Sequence, residues 1–238
     1  MDYNINIIPK DDGVAFNLTT YKPFRLRALK TDPSCKRDIT MFIVPNRNPY
    51  LSSSVSSPLN PTTTSTQHLT TTSFGSNYAR EVAFDDKKWK QRALNPIVST
   101  FVAVANSTSA GNNKTNPIIL SAASLIGPIP APQLAAVSRL HREPQPPVHW
   151  EINAVWTAPE ARRCGIARHV LNELTGVGKE HAVAQGRDCL MTVAVEPSNA
   201  GALALYKRYG YTPISVEGGP PVYQDATWLA LFLPLASV

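Results

Sequence analysis

The sequence predicts a mixed α/β sheet with helices on its faces, and three observations carry that expectation. Ile166, Val170, Leu171, Leu174 and Val177 recur at helical spacing and form an apolar stripe that needs a sheet beneath it. The run that follows, Cys189–Val195, is almost continuously apolar, as in a strand covered on both faces. Before the helix, Val148–Pro159 is rich in β-formers and stops at proline. Strand, helix and strand in that order make a right-handed crossover, so the strands at 150–157 and 189–195 should be parallel.

Upstream, Phe24, Leu26 and Ala28 alternate with Arg25 and Arg27, which reads as a strand after a lead-in at 1–22. Residues 45–77 are almost all Ser, Thr, Asn and Pro. Such a composition buries too little apolar surface to offset chain entropy, so a mobile insertion is expected there. Tyr78–Pro96 returns to helical character, with Val82, Trp89 and Leu94 as the residues expected inside. Ile97–Asn106 and Pro117–Pro128 read as strands joined by a polar hairpin, 107–116, and so as antiparallel neighbours. A second, proline-rich insertion spans 128–147, with one short helix expected at Leu134–Leu140. Gly186 ends the crossover helix. A further helix is capped by Ser198 or Asn199 and closed by Gly210, and Thr212–Val216 with Ala226–Leu235 supply two last strands. The sum is one domain over 23–238, with about six to seven strands.

Composition narrows the function classes. The net charge of +6 is mild, and no Lys/Arg run carries interleaved aromatics, so a nucleic-acid surface is not expected. Cys35, Cys164 and Cys189 are too few and too scattered for a zinc site or disulfide framework. No apolar block is long enough to span a bilayer, and residues 1–13 lack the pattern of a signal peptide. A cytoplasmic or nuclear protein is therefore expected, with no membrane partner and no metal.

Chemistry concentrates in Glu160–Leu171. Glycine in the first turn of a helix costs roughly 1 kcal/mol relative to alanine, yet Gly165 opens the crossover helix, with Ala167 behind it and Arg162–Arg163 ahead. The first amides of a helix lack intrahelical acceptors and attract anions, above all phosphate. Small residues let a diphosphate approach them. A tight strand-to-helix turn with solubilising arginines would explain the same residues. The segment is neither a Walker loop nor a dinucleotide fingerprint. On the later helix Asn199, Ala202 and Tyr206 share one face: an amide, a gap and a phenol.

Together, Arg162–Ala167 ("RRCGIA") and Asn199–Tyr211 ("NAGALALYKRYGY") resemble the GNAT superfamily, the Gcn5-related N-acetyltransferases. They match its Q/R-x-x-G-x-G/A loop and its N-x-x-A-x-x-L-Y-x-x-x-G-F/Y helix, over about Trp150–Ile214. The resemblance implies that central sheet, with a parallel pair splayed around acetyl-CoA as co-substrate. By the same resemblance, Arg162, Arg163, Cys164, Gly165, Ile166 and Ala167 would hold the pyrophosphate. Val155, Trp156 and Thr157 would lie along the pantetheine arm, pairing through the backbones of Val155 and Thr157. Asn199 and Ala202 would flank the arm, and Tyr206 would protonate the departing thiolate. Arg163 stands where many relatives carry glycine. Cys164 reads as a small buried filler.

Transfer of an acetyl group to an amine needs a base, an oxyanion site and an acid, and no nucleophilic residue. Glu151, eleven residues before Arg162, stands where the histone-acetylating branch places its catalytic glutamate. On a regular strand it would share the cleft face with Asn153, Val155 and Thr157, unless a bulge intervenes. Glu196, His149 or a water chain are the alternatives. The leading expectation is an N-acetyltransferase acting on a small-molecule amine. A protein lysine or N-terminal acetyltransferase, a non-catalytic acyl-CoA-binding module and a longer-chain acyltransferase are the other readings. Oligomeric state, monomer or homodimer, is left open by the sequence.

Overall fold

The computed structural model describes residues 2–10, 13–32, 78–106, 117–129, 146–214 and 226–235. The Ser/Thr-rich insertion, the 107–116 hairpin, the Leu134–Leu140 helix and Cys35 lie outside the described residues. The chain runs β1 (Tyr3–Ile7), α1 (Gly13–Phe16), a π-turn (Asn17–Tyr21), α2 (Lys22–Thr31), α3 (Tyr78–Val82) and α4 (Asp86–Ala93). Then come β2 (Val98–Ala105), β3 (Ile119–Ile129), β4 (Val148–Thr157), α5 (Ile166–Ala184) and β5 (Cys189–Val195). The last elements are α6 (Ala200–Arg208), β6 (Thr212–Ile214) and β7 (Thr227–Leu233).

These strands form one seven-stranded sheet in the order β1-β2-β3-β4-β5-β7-β6. Only β4 and β5 run parallel, Val148 facing Cys189 and Ile152 facing Val193; every other pair is antiparallel. All seven residues of β5 are buried, as its unbroken apolar run requires.

Helix α5 buries the stripe Ile166, Val170, Leu171 and Leu174 on one sheet face, with Val177 half-buried beside it. Gly178 allows the close approach: a Cβ there would collide with Met191 Cε and stand 3.2 Å from Trp150 Cδ1. The other face carries the N-terminal helices, with Phe24 of α2 edge-on to Trp156 at 4.9 Å.

Three expectations are corrected in this N-terminal layer. Phe24–Leu29 is helix, not strand: α2 buries Phe24, Arg25, Ala28 and Leu29, which is helical spacing. The alternation misled because Arg25 points inward, fixed to Glu81 by bonds of 3.2 and 3.0 Å. Val82 and Leu94 are about half exposed, at 47% and 50%, whereas Glu81 is fully buried. Arg92 joins the same carboxylate at 3.0 Å, so one buried ion triad ties α2, α3 and α4 together. Trp89 is buried as expected. The segment before residue 23 is more than a lead-in, since β1 pairs with β2 along its length.

Candidate functional site: a splayed strand pair opening onto an arginine-lined groove

The recorded pairing of β4 with β5 ends at Ile152–Val193, although both strands continue. What diverts β4 is a bulge. Opposite β3 the register passes from Ser124–Asn153 to Ala122–Trp156, so β4 carries one extra residue. Ala154 takes a φ of +53°, and the Asn153 Oδ1 atom accepts the Ala154 amide at 2.8 Å, holding the kink.

The bulge exchanges the faces of β4. Thr157 Oγ1 lies 2.9 Å from Ser121 Oγ, and Trp156 turns to Phe24 on the opposite side. Glu151 and Asn153 therefore share the face of Trp156 rather than that of Val155 and Thr157, which corrects the regular-strand expectation. Glu151 is 4% exposed and stands across from Thr192 of β5. Next to it, His149 Nε2 contacts Thr192 Oγ1 at 2.7 Å, and burial pushes the imidazole down to about 4, so it is neutral at pH 7.

Where the strands part, a cavity of about 60 Å³ opens between Ile152–Val155, Val193–Glu196, Asn199, Ala202 and Tyr206. Glu196 is on this wall, and Glu151 is not among its described lining residues. Ala158 donates its amide to Leu120 at 2.9 Å, so the alternating backbone groups of Val155 and Thr157 point away from β3. The Thr157 carbonyl accepts Arg162 Nε at 3.0 Å. Trp156 is 4% exposed, with its ring turned to α2.

The cavity shares Val155, Asn199, Ala202 and Tyr206 with a groove of about 620 Å³ that runs between the start of α5 and α6. Gly165 is the N-cap of α5 at φ +76°, with no side chain capping the helix. A Cβ on Gly165 would meet no atom of the described residues within 4 Å, so the glycine clears space above the amides rather than fitting a packed wall. Gly165, Ile166, Ala167, Arg162, Arg163, Arg168 and Arg208 all line the groove. Asp32 is the one acidic residue among its described lining. Arg162 is held by Asp32 at 3.4 Å. Arg163 itself takes φ +63°. Cys164 is exposed, not a buried filler, and its Sγ lies 3.5 Å from the Arg162 carbonyl.

Asn199 spends its side-chain oxygen on α6, accepting the Ala202 amide at 3.0 Å. Tyr206 is 3% exposed and edge-on to Tyr211, with ring centroids 5.3 Å apart. Burial first, and then the neighbouring phenols, hold the Tyr211 hydroxyl well above the usual phenol range. Burial likewise pushes the Cys189 thiol up to about 12, so it is inert. The residues that sequence reading passed over are Arg168 and Arg208. For Arg208 the signal was spacing: Gly201, Leu205 and Arg208 form a second stripe on α6 beside that of Asn199, Ala202 and Tyr206.

No group of His, Cys, Asp or Glu among the described residues could hold a metal ion, and no described helix is long and apolar enough to cross a membrane. An open, cationic groove floored by helix-N-terminal amides and leading to a narrow cleft suits a long anionic ligand with a slender arm.

Residues 127–211 match the acetyltransferase (GNAT) family. Similar solved structures include Arabidopsis thaliana NAA60 in complex with acetyl-CoA, at 17% identity over 63% of this chain and 84% of that one, TM-score 0.48. A GNAT-family acetyltransferase from Staphylococcus aureus aligns at 12% identity over 98% and 100%, TM-score 0.49. Spermidine N-acetyltransferase from Vibrio cholerae, in complex with CoA and spermine, aligns at 15% over 62% and 73%, TM-score 0.39. No curated protein matches the sequence.

Proposed function

We propose that this chain, whose residues 127–211 match the acetyltransferase (GNAT) family, is an acetyl-CoA-dependent N-acetyltransferase. The observation that carries the reading is the continuity of cleft and groove: Val155, Asn199, Ala202 and Tyr206 line both. A ligand whose phosphates lie on the α5 amides thus leads its other end to the gap between β4 and β5.

The residues present fit acetyl-CoA. The amides of Arg163 to Ala167 would receive the diphosphate, over the space that Gly165 leaves empty. The outward backbone groups of Val155 and Thr157 would lie along the pantetheine arm, with the Thr157 carbonyl already shared with Arg162. Acetyl-CoA supplies an acetyl thioester, which an amine attacks directly. Tyr206, on the cleft wall, donates a proton to the sulfur that leaves. Glu196, also on that wall, accepts the proton of the attacking amine; Glu151, buried across from Thr192, is outside the described lining of the cleft. Asn153 and Ala154 set where the strand parts, and so where the reacting carbonyl can sit.

The acceptor is taken to be a small-molecule primary amine, and the protein to work in the cytoplasm. A thermal-shift titration with acetyl-CoA and CoA, followed by a thiol-release assay across polyamines, amino sugars and peptides, tests the reading. Stabilisation with thiol release on a small amine supports it. Absence of stabilisation by either compound at millimolar concentration overturns it, and stabilisation without release on any amine leaves a binding module instead.

A further inference from the structure

We propose that the cavity lined by Asn17, Lys88 and Trp89 is a second binding site, for a small carboxylate whose apolar body carries an N–H donor, as an acylated amino acid does. It does not depend on the acetyl-CoA reading of the groove.

The cavity, of about 370 Å³, lies between the π-turn, α4 and the start of β2. Small-molecule pockets span about 300–1,000 Å³, so the space suits a compact organic ligand. None of its described lining residues belongs to the cleft or to the groove. Sheet order separates them further. Strand β2 stands two places from β4, and Val98 is level with Ile126 and so with Glu151, whereas β4 and β5 part beyond Ile152.

Two buried polar side chains on the wall lack what they need. Asn17 is 5% exposed and Trp89 fully buried, and both line the cavity. Asn17 Oδ1 and Trp89 Nε1 nevertheless have no hydrogen-bond partner among the described residues. A buried polar atom left in that state has given up its bonds to water for nothing, and native proteins hold few of them. Other polar groups of the wall are already used: Asn95 Oδ1 accepts the Ile97 amide at 3.2 Å, and Thr100 Oγ1 lies 3.2 Å from Ser124 Oγ. The indole N–H can only donate, and the amide oxygen can only accept. A ligand that satisfies both brings an oxygen acceptor for Trp89 and an N–H for Asn17.

Charge and apolar surface complete the selection. Lys88 is half-buried on the same wall, and its ammonium enters no described hydrogen bond or ion pair. Arg92 is there too, with its guanidinium already 3.0 Å from Glu81. No acid is among the described lining residues, so a polyamine would bring cations to a wall that has no anion for them. An anion fits, and a carboxylate on Lys88 makes a charge-assisted bond. Inorganic phosphate would serve Lys88 but leave Ala93, Val98 and the Tyr21 ring uncovered. A carboxylate, an amide N–H with its carbonyl and an apolar side chain together meet every group named.

The test is isothermal titration calorimetry on the full chain with N-acetyl-L-leucine, N-acetyl-L-leucinamide, which lacks the charge, and isocaproate, which lacks the N–H. The native protein should bind N-acetyl-L-leucine with a dissociation constant of about 1 mM or below. Each of the other two probes should bind about tenfold more weakly or worse. Lys88→Gln and Asn17→Leu should each weaken N-acetyl-L-leucine binding by a similar factor of about ten. Native-like melting temperatures confirm folding, and Lys88→Gln alone suffices should Asn17→Leu fail to fold, because Lys88 has no described partner to lose. Absence of binding at about 10 mM overturns the site. Binding that is unchanged in Lys88→Gln overturns it too, because the probe then sits elsewhere. Equal affinity for isocaproate overturns the assigned ligand class, since Asn17 would then be receiving no donor.

Discussion

The two helical layers of this molecule handle charge in opposite ways. On the α1–α4 side, Glu81 is fully buried and takes both Arg25 and Arg92, so the charges are withdrawn from water and paired with one another. On the α5–α6 side, arginines stand exposed around a groove, and the α5 N-terminus has no side-chain cap. The first arrangement holds three helices in place, and the second leaves donors open for something that is not protein. Counting arginines does not separate a structural layer from a binding one; what each guanidinium already holds does.

Removing the buried carboxylate should have the largest effect. Glu81→Ala leaves two guanidinium groups in a dry environment without their anion, a loss of about 3–5 kcal/mol by analogy with broken buried pairs. Denaturant unfolding should show the lower midpoint. In the fraction that remains folded, coenzyme affinity should stay close to native. A variant with native stability would mean that water reaches this triad and that the two layers differ less than their burial suggests.

The mirror experiment is Gly165→Glu. A Cβ at this position meets no described atom within 4 Å, so the expected cost to folding is that of a left-handed φ of +76°, about 1–2 kcal/mol. Its carboxylate, however, projects into the space reserved for the anion, and binding of CoA should fall more than 100-fold by calorimetry, which corresponds to about 2.7 kcal/mol or more. Tyr206→Phe should be gentler still. Loss of one proton donor to the departing sulfur lowers kcat by about 10- to 100-fold and leaves CoA affinity nearly unchanged. Equal loss of binding in these two variants would break the division between a groove that binds and a cleft that reacts.

The same contrast explains what could be read in advance. Gly165, the apolar stripe of α5 and the N-cap of α6 obey local rules of spacing and backbone conformation, so the sequence alone pointed to them. Arg25 and Glu81 break the rule that charged residues face out, and only their mutual pairing permits it; one sequence shows neither partner to the other. The face exchange at Ala154 was equally hidden. Alternation along β4 looks regular, and nothing in Asn153-Ala154 announces that an alanine will adopt a φ of +53°. That single extra residue decides on which side of the sheet Glu151 stands.

A pH titration probes the polar patch that the exchange leaves behind. His149 is neutral in the fold, with its pKa lowered from 6.5 to about 4 by burial. Between those values the unfolded chain binds the proton and the folded chain does not, so stability is intact above pH 6.5 and falls as pH is lowered. The slope contributed by this one group is at most about 1.4 kcal/mol per pH unit. His149→Gln should remove that component from the stability–pH curve while keeping a polar partner for Thr192. If the slope between pH 6.5 and pH 4 is the same in both proteins, the imidazole is reached by solvent and the patch is open.

The smallest effect expected is a gain. Arg163 holds a φ of +63°, a conformation that a side chain with a Cβ adopts at a cost of about 1 kcal/mol and that glycine adopts freely. Its guanidinium is exposed, whereas its amide belongs to the run proposed to hold the diphosphate. Arg163→Gly should therefore raise stability by about 0.5 kcal/mol, strain relief being partly offset by the greater freedom of glycine in the unfolded chain. CoA binding should weaken only about twofold, through loss of one screened charge beside a site that retains its amides. A tenfold or greater loss would mean that the guanidinium of Arg163, and not only its amide, holds the ligand.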